Sequence, residues 1–570
     1  MDAALKKLIA YSPAGSLDNP ESGFRGFHPG TTVLKAGSVM VPGAMPLPCD
    51  ILFERDVAVT MRDGATIYID IFRPVDDTEK VPAIINAGTF GKNGPYIDLD
   101  KISVWTGAKN RFGIPRAATS GLETWEGTDP AFWVNCGYAV VNVDNRGCGM
   151  SEGDAPYFGT QEAEDDYDVI EYLGTRDWCN GKVTMSGNSW LCIVQWYAAA
   201  MQPPHLACIA PWEGHTDLYR DEMVDGGIPN YPAVRRPNAY GRNKMEDMIL
   251  NIRDNPLMND YWRDKVIALE KIQCPAYIVA SYTSMVHCQG TLRAWRTISS
   301  REKWLRIHHT QEWHDLYDPF YTQDLKRFYD HYLKGMNNGW EHTPVCRISV
   351  LDPGGEDIVE RVENEFPLAR QQFRKLYLDA DTMTLNFEQG KAETSMRYRG
   401  DDGKSIAKFT FPITGETEIV GYMKLRLWVE ADGHDDMDLF VKISKVGPDG
   451  KYRYHDAIMC DYSGPDSRHR VSLRKLDEEK SLPEIPYYTY DTVEKLRPGK
   501  IVPVDIAIWP TGLRFHAGET LEVAVCGFEY ELCSQPKEGI PMGIDNHGDH
   551  IIHTGGKYDS HLLVPFIPLD

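Results

Sequence analysis

The chain has 570 residues, of which 42% are hydrophobic and 25% charged, a composition typical of a folded globular protein with two or three domains. The formal net charge of −23 would repel a phosphate backbone, so we expect no nucleic-acid partner. No apolar run approaches the ~20 residues that cross a bilayer, and the first residues carry no convincing signal-peptide cleavage site. We therefore expect no membrane partner and a cytoplasmic location, in agreement with 12 scattered cysteines that form no CxxC pair.

The first segment, residues 1–48, is rich in Gly, Pro and Ser and is predicted to be an extended N-terminal arm. The sequence VAVTMRDGATIYIDIFRP then alternates in hydrophobicity on both sides of Asp63 and Gly64, which predicts a β-hairpin. Five short apolar runs follow, each ahead of a turn and a helical stretch: VPAIINAG, YAVVNVDNRG, KVTMSG, LACIAPWEG and PAYIVAS. This alternation predicts parallel strands with crossover helices, hence an open α/β sheet.

A long aromatic and charged insertion separates the fourth apolar run from the fifth. We predict that the α/β domain comprises residues 49–214 and 271–340, with a helical cap at 215–270 over the carboxyl ends of the strands, where such folds bind ligands. After Glu341, runs with strict period two predict an antiparallel β-sandwich over residues 341–570. We expect the sandwich to support the site and to supply subunit contacts in a homo-oligomer.

The segment GKVTMSGNSWLC, residues 181–192, carries the strongest chemical signal. A short strand runs through Gly187 to Ser189 and is followed by an apolar stretch with helical spacing, which is the setting of a nucleophile elbow. We expect Ser189 to be a nucleophile toward an ester or amide carbonyl, and the backbone N–H of Trp190 to be one donor of an oxyanion hole. The GxSxG pattern is incomplete, because Leu191 stands in place of its last glycine.

A serine nucleophile needs a base, which in such a fold follows it in the chain on a late loop. His314, in QEWHDLYDP, lies just before an amphipathic helix and is the predicted base. His308 and His309, at the end of the preceding strand, are better explained as structural residues. Neither this loop nor the later run HGDHIIHTGG has the arrangement of a metal site, so we expect no metal and no cofactor.

On these residues the chain resembles the cocaine esterase and X-prolyl dipeptidyl peptidase (CocE/NonD) group of serine hydrolases, which also contains α-amino acid ester hydrolases. The resemblance rests on VTMRDGATIYIDIFRP, VDNRGCGMSEG, EDDYDVIEYLGTRDWCNGKVTMSGNSW, the QEWH loop, WPTGLRFHAGETLEV and SHLLVPFIP. It implies an α/β-hydrolase domain, a helical cap and a C-terminal jelly roll. It also implies Ser189 as the nucleophile and His314 as the base.

The sequence departs from this group at three positions. Ser284 stands where the catalytic Asp is expected, so Ser284 would have to hold the base, or Asp315 or Glu312 would have to substitute. Phe90 stands where the group has a Tyr hydroxyl in the oxyanion hole, and Tyr96 or a backbone N–H would have to replace it. Cys192 takes the place of a glycine in the helix after the nucleophile.

Aromatic side chains near the predicted pocket favour a small-molecule substrate with a bulky apolar acyl group, although each could instead pack the cap; we predict substrate contacts for Trp212, Tyr219, Trp262 and Trp313. Acidic residues in the same region would bind a substrate amine or form a solvated helix face, namely Glu213, Asp217, Asp221 and Glu222. Three functions agree with the sequence: a serine esterase or amidase; an acyltransferase, cyclase or lactone-forming enzyme of specialised metabolism; and a binding protein without turnover.

Overall fold

The computed structural model describes residues 3–92, 114–234, 237–455, 461–529 and 543–569. The strands up to residue 363 are β1 Tyr11–Pro13, β2 Gly30–Leu34, β3 Ile51–Thr60, β4 Thr66–Pro74, β5 Val81–Gly88, β6 Ala139–Asp144, β7 Cys179–Asn188, β8 Leu206–Trp212, β9 Lys244–Glu246, β10 Ala276–Ser281, β11 Lys303–His308, β12 Cys346–Val350 and β13 Ile358–Glu363. The α-helices are α1 Ala3–Lys6, α2 Pro130–Asn135, α3 Thr160–Gly174, α4 Trp190–Ala200, α5 Met248–Asp254, α6 Asp260–Arg263, α7 Cys288–Thr297, α8 His314–Tyr317 and α9 Pro319–Lys334.

A mixed sheet in the order β13-β12-β11-β10-β8-β7-β5-β6-β4-β3-β2 forms the first domain. Its centre, from β6 to β12, is parallel, and each of the five apolar runs supplies one of these strands. Helices α3, α4 and α7 cover one face, and α2 and α9 cover the other. Burial on both faces explains why the strands are continuously apolar, and the predicted α/β fold class is confirmed.

The hairpin forms where the sequence predicts it. Strands β3 and β4 pair antiparallel, and the turn between them closes with a hydrogen bond of 2.8 Å from Met61 N to Ala65 O, with Gly64 at φ 88°. The predicted arm contributes more regular structure than expected, because β2 extends the edge of the sheet beside β3 and β1 pairs with β9 of the insertion.

The insertion between β8 and β10 contains α5, α6 and a π-helical turn at Tyr219–Met223, in the region predicted to be the cap. It also contacts the second domain, since Met258 N donates to Tyr490 O at 2.9 Å. Across the described residues, no helix is long and apolar enough to cross a membrane.

The second domain is all-β, as predicted. Its strands are β14 Gln372–Asp379, β15 Thr384–Asn386, β16 Thr394–Arg399, β17 Ile406–Pro412, β18 Thr417–Asp432, β19 Asp438–Val446, β20 Asp466–Arg470, β21 Val502–Phe515, β22 Thr520–Cys526, β23 Asp549–Thr554 and β24 His561–Ile567. The predicted boundary at Glu341 lies ahead of β12 and β13, which still belong to the first sheet: Leu305 of β11 is in parallel register with Cys346 of β12. The sandwich strands therefore begin at Gln372.

Candidate active site

Ser189 lies in a sharp turn between β7 and α4. Its backbone has φ 52° and ψ −118°, a strained conformation for a residue with a side chain, of the kind that costs about 1–3 kcal/mol and clusters at active sites. Two backbone hydrogen bonds hold the turn: Ser189 N donates to Glu213 O at 2.8 Å, and Asn188 N donates to Glu126 O at 3.1 Å. This is the geometry of a nucleophile elbow.

Glycines explain how the incomplete GxSxG pattern still folds into this turn. Gly187 has φ 125°, and a Cβ there would lie 2.6 Å from Glu126 O and 2.6 Å from Leu191 Cβ. Gly88, at the end of β5, would place a Cβ 2.7 Å from Leu191 Cδ1. Leu191 therefore occupies space that two neighbouring glycines leave open. Cys192 is accommodated in the same way by Gly214, whose Cβ would lie 2.7 Å from Cys192 Sγ.

The backbone N–H that is predicted to be an oxyanion donor lies at the start of α4. Trp190 is the first residue of α4 and follows Ser189. Among the described residues, no turn or loop carbonyl accepts a hydrogen bond from its backbone N–H, as is usual at a helix N-terminus. The indole Nε1 donates to Glu162 Oε1 at 3.0 Å and fixes the side chain. Phe90 is half-buried with its ring centroid 6.3 Å from that of Trp190, and it offers no donor. Tyr96, the proposed substitute, lies outside the described residues.

His314 is the first residue of α8, and its Nδ1 lies 2.9 Å from Oδ1 of Asp315. Thr310 Oγ1 donates to the same carboxylate at 2.7 Å, and Arg306 forms an ion pair with it. Burial alone would raise the pKa of Asp315, but Arg306, His314 and His308 hold it well below its ordinary value. The hydrogen bond to this ionised carboxylate raises the pKa of His314.

Ser284 does not hold His314. Its Oγ lies 3.1 Å from His287 Nδ1 and donates to Glu312 Oε2 at 3.4 Å, and no hydrogen bond joins Ser284 to His314 within the described residues. The predicted role of Ser284 as the group that orients His314 is therefore corrected. The physical reason is that Ser284 contacts His287 and Glu312, whereas the ring of His314 is held by the carboxylate of its neighbour Asp315.

Glu213, His287 and Glu312 form a buried cluster, with one nitrogen or oxygen atom of each within 4.8 Å of those of the other two. His287 Nδ1 is 3.2 Å from Glu312 Oε2. The Glu213 carboxylate accepts a hydrogen bond from Ser281 Oγ at 2.9 Å and forms another with His308 Nε2. Burial lowers the pKa of His287, but the adjacent Glu312 and Glu213 outweigh burial and raise it to about 9.

Sequence reasoning missed His287, because SMVHCQG matches no motif. Its position just after the apolar run PAYIVAS was the available signal, since the loops at the carboxyl ends of parallel strands carry sites. Two carboxylates and an imidazole are also a possible metal ligand set, but here each carboxylate already faces a histidine, Glu213 facing His308 and Glu312 facing His287. In the later run, His550 and His553 bond to Tyr398 and Glu430.

The four aromatic residues predicted to contact substrate are buried in the protein interior instead. Trp212, Tyr219 and Trp262 are at most 1% exposed and Trp313 is 2% exposed. Trp212 lies on the sheet face opposite α4, against Tyr277 and Arg306, and Tyr219 packs edge-to-face against Trp262 inside the cap. Side chains with no exposed surface pack the fold and offer nothing to a ligand in this conformation.

Trp313 has a structural role beside the elbow. Its Nε1 donates to Glu126 Oε1 at 3.0 Å, and its ring lies 5.0 Å from that of Trp125. The predicted amine-binding acids are also largely engaged, because Asp217 pairs with Arg220 at 2.6 Å and Asp221 pairs with Arg293 at 2.8 Å. The rings of Phe158 and Tyr157 are also buried, and they pack 4.0 and 5.0 Å from that of Trp190, the residue after the nucleophile.

Known proteins share both the sequence and the architecture. Residues 63–241 match the X-Pro dipeptidyl-peptidase (S15 family), and residues 338–563 match the X-Pro dipeptidyl-peptidase C-terminal non-catalytic domain. Cocaine esterase from Rhodococcus sp. (strain MB1 Bresler) is 34% identical over 165 residues, which are 29% of this chain and 24% of the esterase. An α-amino acid ester hydrolase at 16% identity has the same fold, with a TM-score of 0.68 over 90% of this chain and 96% of its own.

A CocE/NonD family hydrolase from Staphylococcus aureus, known from its crystal structure, is 34% identical to this chain. The two structures superpose with a TM-score of 0.85, over 95% of this chain and 97% of the bacterial one. Because sequence identity and fold agree over nearly the whole length of both chains, the protein belongs to the CocE/NonD family of α/β-hydrolases.

Proposed function

We propose that the protein is a serine hydrolase that cleaves an ester or amide through an acyl-enzyme on Ser189. The observation that carries the proposal is the strained backbone of Ser189, at φ 52° between β7 and α4. Nothing in the packing of a plain strand-to-helix connection requires this strain, whereas a nucleophile presented at the edge of the sheet does.

In the proposed reaction, Ser189 Oγ attacks the substrate carbonyl while a histidine takes its proton. The same histidine then protonates the leaving alcohol or amine, and water releases the acyl group by the reverse sequence. The Trp190 N–H stabilises the oxyanion. Since Phe90 has no donor, the hole lacks the side-chain contribution that the resemblance leads one to expect, a difference of about 2.7–4 kcal/mol in transition-state stabilisation.

The base should be a histidine whose Nδ1 is held by a carboxylate, so that Nε2 is free to accept the serine proton. The described residues contain two such pairs near the elbow. His314 with Asp315 is the pair that chain order and resemblance predict, and His287 with Glu312 is the pair that emerges from the structure.

We propose an acyl group that is bulky and apolar. This rests on the half-buried ring of Phe90 beside Trp190, rather than on the four buried aromatic residues first predicted. An acyltransferase, cyclase or lactone-forming enzyme is the second candidate, because it would use the same acyl-enzyme and Phe90 marks a departure from the esterases that the chain resembles. Added amines or alcohols distinguish the two, since a transferase forms an acylated product in preference to the free acid.

Labelling with a fluorophosphonate tests the proposal. We expect intact-mass analysis to show one phosphonyl adduct on the wild type and none on Ser189→Ala. Ser299→Ala serves as the matched control, because Ser299 is an exposed serine whose hydroxyl donates to Glu270 O, and this variant should label like the wild type. An unlabelled wild type, or a labelled Ser189→Ala, would contradict the proposal and favour a binding protein without turnover.

A further inference from the structure

Both hydrogen-bonded contacts of His287 fall on one ring nitrogen. Nδ1 lies 3.2 Å from Glu312 Oε2 and 3.1 Å from Ser284 Oγ, and no hydrogen bond to Nε2 is made within the described parts of the chain. The side chains of His287 and Glu312 are 6% and 0% exposed. A carboxylate that holds Nδ1 in a dry environment fixes the tautomer and leaves Nε2 as the proton acceptor, as a triad requires.

This histidine–carboxylate pair is attached to the nucleophile elbow from two sides. Asn188, the residue before the nucleophile, donates through Nδ2 to the backbone oxygen of Glu312 at 3.0 Å. Ser189 N donates to Glu213 O at 2.8 Å, and the carboxylate of Glu213 belongs to the same cluster as His287 and Glu312. Two hydrogen bonds therefore connect residues of the cluster to the turn that positions Ser189.

His314 is held by a different carboxylate. Its partner Asp315 is 1% exposed and forms an ion pair with Arg306, which is itself fully buried. The Arg306 guanidinium lies over the rings of Tyr321 and Trp212, at 4.1 and 5.2 Å from their centroids, on the sheet face opposite α4. The Asp315 carboxylate, which holds the His314 ring, is thus paired with a cation on that face, and its Oδ2 also lies 3.8 Å from His308 Nδ1.

We propose that His287 is the general base for Ser189, that Glu312 is its carboxylate, and that the His314–Asp315 pair is structural. In the related hydrolases the loop after β10 carries the acid and the loop after β11 carries the base, according to the resemblance stated above. Here the two loops exchange these roles: His287 follows β10 by six residues, and Glu312 follows β11. The exchange preserves the geometry, because Ser281 and His308 are opposite each other in the parallel pair β10–β11 and both loops leave the same edge.

The proton balance is that of a serine hydrolase. As the Ser189 Oγ–carbon bond forms, the hydroxyl proton moves to Nε2 of His287, and ionised Glu312 stabilises the imidazolium. As the bond to the leaving group breaks, that proton moves to the departing oxygen or nitrogen. A water molecule then repeats the two transfers and restores Ser189 and neutral His287.

The test compares second-order rates of fluorophosphonate labelling at Ser189, and it rests on the proposed function, since it requires a labelled wild type. His287→Ala should lower the rate by at least about 100-fold, whereas His314→Ala should change it less than about threefold. Added imidazole should restore part of the rate in His287→Ala, which a purely structural role would not allow. His287→Gln, which keeps the volume and a hydrogen-bond donor, should be as slow as His287→Ala if its circular dichroism spectrum is native.

The outcomes separate the two proposals. Loss of labelling in His314→Ala with retention in His287→Ala would overturn the inference and leave Ser189 as the nucleophile with the base predicted from chain order. Labelling at the wild-type rate in both variants would also overturn the inference. A wild type that does not label would instead contradict the proposed function itself.

Discussion

Asn188 donates a hydrogen bond of 3.0 Å from its side-chain nitrogen to the backbone oxygen of Glu312, and so joins the nucleophile elbow to the loop after β11. The two residues are 124 positions apart in the chain, and both are buried. The residue before the nucleophile therefore sets the position of the carboxylate that we assign to the base.

Asn188→Ala should slow fluorophosphonate labelling and lower the free energy of unfolding by about 1–3 kcal/mol, because it leaves the Glu312 carbonyl unpaired in the interior. Thermal unfolding and labelling rates measure the two effects. Asn180→Ala is the matched control, since Asn180, near the other end of β7, donates to Leu333 O at 3.1 Å. This control should reduce stability without slowing the reaction. If both variants label at the wild-type rate, the link to Glu312 does not serve the chemistry.

Labelling should increase with pH up to about 9. The groups that face His287 are Glu312 from the loop after β11, Glu213 from the end of β8, Glu222 and His215 from the insertion, and Ser284. The carboxylates raise the pKa of His287 to about 9 against the effect of burial, and only the neutral imidazole accepts the serine proton. The reaction is therefore slow at low pH and gains rate as His287 loses its proton.

A pH–rate profile of the wild type and of Glu312→Gln measures this dependence. Replacing the carboxylate by a neutral amide removes the largest opposing charge, so the midpoint of the profile should shift to lower pH in the variant. A wild-type profile that is already flat above pH 7 would contradict the prediction.

Phe90→Tyr should accelerate hydrolysis of a simple p-nitrophenyl ester by about 10-fold or more, because it introduces a hydroxyl donor beside the predicted oxyanion site, and one such donor is worth about 2.7–4 kcal/mol when well placed. The increase should appear in kcat, since the donor acts on the transition state. Phe90→Leu tests whether pocket size alone matters, and it should give no acceleration. If kcat does not increase in Phe90→Tyr, the oxyanion does not form within reach of this ring.

Gly187→Ala should destabilise the protein more than Gly181→Ala. Both glycines have positive φ, at 125° and 85°, so each substitution carries a backbone penalty of about 1–3 kcal/mol. Only at Gly187 would the new Cβ lie 2.6 Å from a backbone oxygen, whereas nothing lies within 4 Å at Gly181. The difference in free energy of unfolding between the two variants isolates the close approach at the elbow. Equal destabilisation would mean that the elbow adjusts without cost.

The strands and the elbow could be predicted because their signals are local. A strand buried on both faces must be apolar along its length, so VPAIINAG and PAYIVAS identify β5 and β10, and the order strand, Gly187, Ser189, helix identifies the turn. The same property hides which face each side chain occupies. For this reason the sequence predicts Trp212 in the pocket, whereas its side chain packs on the opposite face.

The His287–Glu312 pair could not be predicted, because its members come from two loops 25 residues apart that meet only through the order of the strands. The end of the first sheet could not be predicted for a related reason. The run CRISV of β12 reads like a sandwich strand, and only its parallel pairing with β11 assigns it to the first sheet.

The acyl-enzyme itself provides the most direct test. The protein is mixed with p-nitrophenyl benzoate, quenched in acid within the first turnover, digested and mapped by mass spectrometry, while release of p-nitrophenol is followed in parallel. We predict a burst of about one p-nitrophenol per protein and a benzoyl group on Ser189. Absence of a burst together with an unmodified Ser189 peptide would contradict acyl transfer through this serine.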